Sequence, residues 1–167
     1  MSTLARYLIQ GMLYAAFAAT VGYFSNAPTY RHLGADDALV RLSFSHAAQR
    51  VAPCRERTPE ELAKLAPNMR APLDCPRERS PVTVELELDG RLVFRNVVAP
   101  AGLRRDLAST VYWRQAVAAG EHRFTARMKD RPEGGFNFVK DVVVELAPGR
   151  VLVIDFDGTR GGFLFRM

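Results

Sequence analysis

Hydrophobic and polar residues follow two different patterns along the chain. The segment 7–24 carries no charged residue, and a short basic start precedes it. Because a helix rises about 1.5 Å per residue, this segment would reach roughly 27 Å, enough to cross a thin hydrocarbon core. From Ala38 onward, apolar and polar residues alternate in short runs, which is typical of half-buried β-strands. The pattern predicts one transmembrane helix followed by a β domain.

The ends of the apolar segment bear on its fate and orientation. Ala16-Phe17-Ala18 has the form of a signal-peptide cleavage site, which makes a cleaved leader the alternative to an anchor. The apolar run continues past this site, so we expect an anchor. Arg6 and the amino terminus precede it, and short charged amino-terminal tails usually stay in the cytoplasm. We therefore predict a cytoplasmic tail (1–6), an anchor (7–24), a polar connector (25–37) and a periplasmic domain (38–167) at a bacterial inner membrane.

Four small residues recur at helical spacing within the predicted anchor. Gly11, Ala15, Ala18 and Gly22 are four, three and four residues apart, so they share one helix face. Small residues in such a stripe allow the backbone of another membrane helix to approach closely. The stripe predicts packing against a partner helix, although an alanine-rich segment also forms such stripes by chance.

Turn signals and alternating runs define the rest of the chain. The first predicted strand has Ala38, Val40, Leu42 and Phe44 on its inward side, and Asp89-Gly90 is a two-residue hairpin turn. About eight short strands follow one another without helix–strand alternation. We therefore predict an all-β, Ig-like or fibronectin-III-like antiparallel sandwich. The Cys54–Cys75 segment interrupts it as an insertion with a short capped helix beginning at Thr58.

One further strand carries a local resemblance. Ala119-Gly120-Glu121-His122 and the alternating residues after it resemble a strand of small Ig-like and PEGA-type surface modules. The resemblance covers about ten residues, implies a β-sandwich and implies no function.

The two cysteines predict a disulfide. An even pair in an exported chain is most simply a structural bridge, and closing a loop of this size stabilises a fold by roughly 3 kcal/mol. The alternative is a soft metal site that uses Cys54, Cys75 and Met69, since thiols and thioethers suit Cu(I). His46, His122 and Met128 could join a copper site, but their spacing forms no compact chelate, so no cofactor is predicted.

Candidate catalytic residues lack the context that their chemistry requires. The run 151–159 resembles the first motif of haloacid-dehalogenase-type phosphatases, which would make Asp155 the nucleophile and Asp157 the acid and base. That fold places the motif near its beginning and follows it with helices, a lysine and a further acidic pair, whereas eight residues follow Thr159. We interpret the two carboxylates as outward groups at a turn. No nucleophilic triad accompanies the three histidines, and no enzyme is predicted.

Charge and exposed aromatic residues complete the sequence-based hypothesis. The net charge of +5 comes from scattered arginines with no recognition motif, so nucleic acid is not a predicted partner. Tyr112 and Trp113 should point to opposite faces of one strand, one of them toward partner molecules. We expect a non-enzymatic accessory, assembly or scaffold subunit of a membrane protein complex, with the lipid bilayer as its other partner. The alternatives are a periplasmic copper-handling protein and an envelope module that binds glycan or peptide.

Overall fold

The computed structural model describes residues 2–27 and 33–167 of the chain. It contains two compact units, Met1–Gly34 and Ala35–Met167. The middle of the predicted connector, residues 28–32, lies outside the described residues, and His32 lies there too.

The first unit is one long helix, α1, at Thr3–Asn26. It begins earlier than the predicted anchor because the Ser2 hydroxyl caps it, accepting a hydrogen bond from the backbone N–H of Ala5 at 3.4 Å. Toward its end, Thr20 Oγ1 donates to the carbonyl of Ala16 at 2.8 Å, so this hydroxyl is satisfied within the helix. No residue of α1 is buried. In length and composition it is apolar enough to span a membrane, a test that signal sequences also pass.

The second unit is mostly β-structure. Its ten strands in the described residues are β1 (Asp37–His46), β2 (Arg55–Glu56), β3 (Leu73–Asp74), β4 (Val82–Leu88), β5 (Arg91–Val98), β6 (Ser109–Ala118), β7 (Gly120–Lys129), β8 (Phe138–Leu146), β9 (Val151–Asp157) and β10 (Gly162–Arg166). The first sheet has the order β10–β9–β1–β6 and the second the order β5–β4–β7–β8, whereas β2 and β3 form a small separate ribbon. A short helix, α2 (Pro59–Ala63), lies between β2 and β3.

Inward side chains of both large sheets form a single core. The predicted alternation of β1 is confirmed, since its buried residues are every second one. The second sheet adds alternate residues of β4 and β7, among them the fully buried Leu86, Phe124 and Met128. Rings meet between the sheets: Phe124 of β7 lies 6.2 Å from Phe165 of β10, centroid to centroid. Burying this apolar surface at about 25 cal/mol per Å² is the main stabilising term of the domain.

Two details differ from the sequence-based prediction. Strands β1 and β9 pair in parallel, with Leu42 opposite Ile154, although an antiparallel arrangement was predicted throughout. A parallel pair needs a long crossover, and here the intervening strands provide it. In β5, strict alternation predicts that Leu92 shares the inward side of Phe94, but a β-bulge opposite Leu86 and Glu87 shifts the register. Val93 packs on the core instead, and Leu92 is exposed.

The connections differ between the two ends of the β unit. At the end where Asp37 begins β1, the strands are joined by short turns at 89–90, 119 and 147–150; we call this the turn end. At the opposite end lie the segments 47–81, 99–108, 130–137 and 158–161, which we call the loop end. A ten-residue strand is roughly 33 Å long, so the length of β1 separates the two ends.

Candidate functional site

The insertion at the loop end is organised by a disulfide and a small polar network. Cys54 and Cys75 are bonded, which confirms the predicted bridge, and β2 pairs with β3 directly beside it. Arg55 donates to Glu61 at 3.0 Å and to Asp74 at 3.1 Å, so one guanidinium joins α2 to β3. The pKa of Arg55 is raised by its hydrogen bonds to Glu61 first and also to Asp74. The bridge and this arginine give the insertion a fixed shape.

The helix α2 begins as predicted. Thr58 Oγ1 accepts from the backbone N–H of Glu61 at 3.3 Å, and the Glu61 carboxylate accepts from the backbone N–H of Thr58 at 3.0 Å. Pro59 occupies the first turn. These two bonds form the predicted capping box, and the pKa of Glu61 is lowered by the Thr58 N–H first and by Arg55 second.

The insertion and the residues that flank it are held by polar contacts and contribute no buried residue to the core. Within the described range 49–79, no residue is buried. Where the chain returns, Arg79 Nη1 donates to the carbonyl of Ala48 at 2.7 Å and Arg79 Nε to the carbonyl of Asp106 at 3.0 Å. The backbone N–H of Ser80 donates to the carbonyl of Gln49 at 2.8 Å. Arg79 therefore ties both ends of the insertion and the loop 99–108 together.

A histidine–aspartate pair lies at the base of the loop end. His46, at the end of β1, contacts Asp130 at 2.7 Å between Nε2 and Oδ2, and Asp130 is only 4% exposed. The other carboxylate oxygen accepts from Asn137 Nδ2 at 2.8 Å, and Asn137 Oδ1 accepts the backbone N–H of Asp130 at 3.1 Å. The ring of Phe156 packs edge-on against His46, with 4.8 Å between centroids. The loop 130–137 is thus fixed by its first and last residues.

A groove opens between the insertion and this loop. Its volume is about 980 Å³, and it is lined by the segment 47–54, Arg79 and the segment 131–134. Arg50, Arg79 and Arg131 contribute cationic groups and Glu133 one carboxylate, while Val51 adds exposed apolar surface. An open, mixed surface of this kind suits contact with another macromolecule.

The structure disperses the residues that could have formed a metal or catalytic site. His46 lies at the loop end and His122 at the turn end, Met69 lies in the insertion, and Met128 is buried in the core. Both cysteine sulfurs are consumed by the bridge. Among residues 2–27 and 33–167, no three His, Cys, Asp or Glu side chains form a group that could hold a metal ion.

The two carboxylates of β9 are engaged locally. Asp157 Oδ1 accepts from the backbone N–H of Thr159 at 2.9 Å and from its hydroxyl at 2.6 Å, and the hydroxyl bond is the first cause of the lowered pKa of Asp157. Asp155 Oδ1 accepts from the backbone N–H of Phe156 at 2.8 Å. A single 3-10 turn and then β10 follow, so the motif has a hairpin context.

The remaining predicted site residues lie on three separate surfaces. Tyr112 points outward from β6 and is 59% exposed, whereas Trp113 points the other way and packs against Phe94 at 5.7 Å between centroids. The helix stripe of Gly11, Ala15, Ala18 and Gly22 is exposed throughout. At Gly11 and Gly22 an added Cβ would meet nothing within 4 Å. The stripe therefore presents a shallow, open face on α1.

Comparison with known proteins yields no relative: no family model, no curated protein and no solved structure matches this chain.

Proposed function

We propose that the chain is a non-enzymatic accessory, assembly or scaffold subunit of a bacterial inner-membrane complex. Helix α1 anchors it in one pass, and an Ig-like β-sandwich faces the periplasm. The loop end, with its stapled insertion and groove, binds the periplasmic surface of a partner protein. The small-residue stripe packs against a membrane helix of the same complex.

The exposure of α1 is the observation that carries this proposal. None of the residues in Thr3–Asn26 is buried, and the helix contains a stretch long and apolar enough to span a membrane. An apolar surface of this size is not stable in water, so it calls for a bilayer or a partner helix. The hydrogen bonds from Thr20 and Ser25 to carbonyls four residues earlier satisfy polar groups that lipid could not.

Features of the β domain support the periplasmic part of the proposal. A disulfide persists in oxidising compartments, and the bridge between Cys54 and Cys75 is formed. Two four-stranded sheets over one core, with connections that pass from one sheet to the other, fit the sandwich class. No residue of the insertion is buried in the core, so its surface is free for contact with a partner.

The test substitutes the helix stripe and measures co-purification. Ala15→Leu with Ala18→Leu keeps the segment apolar, so membrane insertion should survive. Close helix packing should be lost, which we expect to weaken association by about 1–2 kcal/mol. The double variant should therefore reach the membrane but no longer co-purify in detergent with the proteins that accompany the wild type.

The matched control is Ala16→Leu with Thr20→Leu, which has similar spacing on the opposite side of α1. It should co-purify as the wild type does. Equal co-purification of both variants would refute the helix interface and move it to the loop end. A protein recovered in soluble form, without residues 1–18, would refute the anchor itself.

A further inference from the structure

The outer face of the first sheet is built differently from the rest of the domain surface. Every second residue of its four strands points away from the core. We define this outer face by these residues: Asp37, Leu39, Arg41, Ser43 and Ser45; Thr110, Tyr112, Arg114, Ala116 and Ala118; Val151, Val153, Asp155 and Asp157; Leu164 and Arg166.

Strand register brings three arginines into one line across this face. Arg41 of β1 is directly opposite Arg114 of β6. On its other side Arg41 is opposite Val153 of β9, which is in turn opposite Arg166 of β10. Arg166, Arg41 and Arg114 therefore lie in one row perpendicular to the strands, which we call the arginine row. With strands about 4.8 Å apart, the row is roughly 14 Å long.

The arginine row forms no ion pair within the described part of the protein. Over the described part of the chain, none of its three guanidinium groups has a carboxylate oxygen within 4.0 Å. Like charges directly opposite each other on neighbouring strands destabilise a sheet. Arg41 and Arg114 form such a pair, so the isolated domain carries a repulsion that a bound anion would relieve.

On the outer face of the second sheet, by contrast, the arginines are paired with carboxylates. Arg95 contacts Glu85 at 3.1 Å, Arg127 forms a two-fold hydrogen-bonded pair with Glu87, and Arg123 lies 3.9 Å from Asp141. The pKa of Arg127 is raised by Glu87 first. The arginines of the second sheet are thus paired with carboxylates on their own face, whereas the three of the arginine row form no ion pair although their face also carries acidic residues.

A tyrosine ring and several aliphatic side chains surround the arginine row. Tyr112 is exposed beside it, and Val151 is 38% exposed, while Leu39, Val153 and Leu164 are half-buried. Asp37, Asp155 and Asp157 are the acidic members of the face, and all three lie outside the arginine row. Asp155 Oδ1 accepts from the backbone N–H of Phe156, and Asp157 Oδ1 accepts from the backbone N–H and the hydroxyl of Thr159. Cationic groups combined with a tyrosine ring and aliphatic side chains are the features that bind the interfacial layer of an anionic membrane.

We propose that the outer face of the first sheet docks on anionic phospholipid headgroups of the membrane that holds α1. The arginine row would bind phosphate groups, and Tyr112 would lie at headgroup level. This proposal rests on the anchoring part of the proposed function. Residues 27–36 can span no more than about 35 Å when fully extended, so an anchored helix keeps the face near lipid at high effective concentration. That tether favours lipid over an acidic protein as the occupant.

The experiment measures contact between the outer face and lipid in the full chain after reconstitution into vesicles. Ser43→Cys places a thiol on the outer face, and an environment-sensitive fluorophore attached there reports contact with lipid. Thr83→Cys carries the same label on the outer face of the second sheet as the control position. Both proteins are placed in phosphatidylcholine vesicles and in vesicles of equimolar phosphatidylcholine and phosphatidylglycerol, and flotation after carbonate treatment measures insertion separately.

We expect a fluorescence rise at position 43 with phosphatidylglycerol, no rise with phosphatidylcholine, no rise at position 83, and loss of the rise at high salt. Each arginine near an anionic surface contributes roughly five-fold to docking. Arg41→Gln with Arg114→Gln should therefore lower the ratio of docked to free domain about 25-fold. Removing a like-charge pair does not threaten folding. Arg95→Gln with Arg123→Gln, which changes the net charge equally on the other face, should leave the rise intact.

The remaining outcomes separate the two proposals. Failure to float with the vesicles would overturn the anchor and the docking together. Flotation without a phosphatidylglycerol-dependent rise would overturn the docking alone, and an equal rise in both vesicles would overturn the recognition of anionic lipid. A rise seen in native membranes but not in the phosphatidylglycerol vesicles would also overturn it and assign the face to an acidic protein surface.

Discussion

The turn end and the loop end of the β domain are held together by different means. At the turn end, the residues that fix a connection are close in sequence or lie on adjacent strands. Asp89 and Gly90 both have positive φ, 50° and 77°, as a tight hairpin requires. At the loop end the fixing contacts are distant in sequence, such as His46 with Asp130 and Arg79 with the carbonyl of Ala48.

This difference shows where the chain can vary its surface. A two-residue turn leaves no room for new side chains, whereas the loop end carries the insertion, the groove and three further connections. Long-range contacts are what allow these loops to keep a shape without joining the core. Surfaces for binding are commonly carried on loops that a rigid scaffold holds in place.

The largest expected effect on stability comes from removing a buried phenylalanine ring at the loop end. Phe156 is buried, and its ring lies 5.6 Å from that of Phe44, 4.9 Å from Phe138 and 5.3 Å from Phe163, centroid to centroid. Phe156→Ala should lower the free energy of unfolding by about 3–5 kcal/mol because it leaves a cavity among these rings. Denaturant unfolding followed by tryptophan fluorescence measures the loss.

The control for this variant is Phe136→Ala, which removes an exposed ring from the loop 130–137. Its cost should be below about 0.5 kcal/mol, as for other exposed positions. Similar losses in the two variants would contradict the view that the loop end depends on the buried ring cluster.

The disulfide has a smaller and more local expected effect than the sequence alone indicated. The chain-entropy argument gives roughly 3 kcal/mol for a bridge in a chain that unfolds as one unit. No residue in the described range 49–79 is buried, so the insertion can lose its order while the sheets stay folded. Cys54→Ser with Cys75→Ser should then change the main unfolding transition by less than about 1 kcal/mol.

Limited proteolysis measures the local part of this effect. Cleavage between residues 54 and 75 should become rapid in the double serine variant while the β domain remains intact. A fall of about 2–5 kcal/mol in the main transition would show instead that the insertion and the core unfold together.

Features fixed by neighbouring residues could be predicted from the sequence. The capping box of Thr58 and Glu61, the hairpin at Asp89-Gly90 and the alternation of β1 all depend on spacing of a few residues. The disulfide followed from two cysteines and a compartment argument. The first three predictions are confirmed because local spacing decides backbone geometry at such positions. The disulfide is confirmed by the bond between Cys54 and Cys75.

Features that depend on register or on distant contacts could not be predicted. The bulge that exposes Leu92 inserts one residue against β4, which no alternation in β5 reveals. The parallel pairing of β1 with β9 depends on the path of the whole domain. Asp130 begins the loop 130–137, and its pairing with His46 joins residues far apart in the chain.

The arginine row could be predicted only in part. Arg41 and Arg114 stand at outward positions that alternation indicates, but their alignment with Arg166 requires the strand order. Charge counting alone described the arginines as scattered, and the register of three strand pairs collects them.

The smallest expected effect concerns the turn end and its dependence on pH. His122 Nδ1 contacts Asp89 Oδ2 at 2.7 Å, and Nε2 lies 2.9 Å from the carbonyl oxygen of Ala118. Both ring nitrogens face acceptors, so the doubly protonated ring satisfies both. The hydrogen bond to Asp89 is the first cause of a raised pKa of His122, and the same bond is the first cause of a lowered pKa of Asp89.

The signs of these two shifts set the pH window. Stability from His122 is complete below its ordinary pKa of 6.5 and is lost as pH rises through the higher folded value. Stability from Asp89 is present above 3.8 and is lost as pH falls through its lowered folded value. His122→Asn should thus destabilise most between these ordinary values, and its deficit should shrink at alkaline pH. Because the pair is partly exposed, we expect only a few degrees in Tm, with Glu121→Gln as the neighbouring control. A deficit that stays constant from acidic to alkaline pH would mean that the turn end depends on ring packing and not on the protonated histidine.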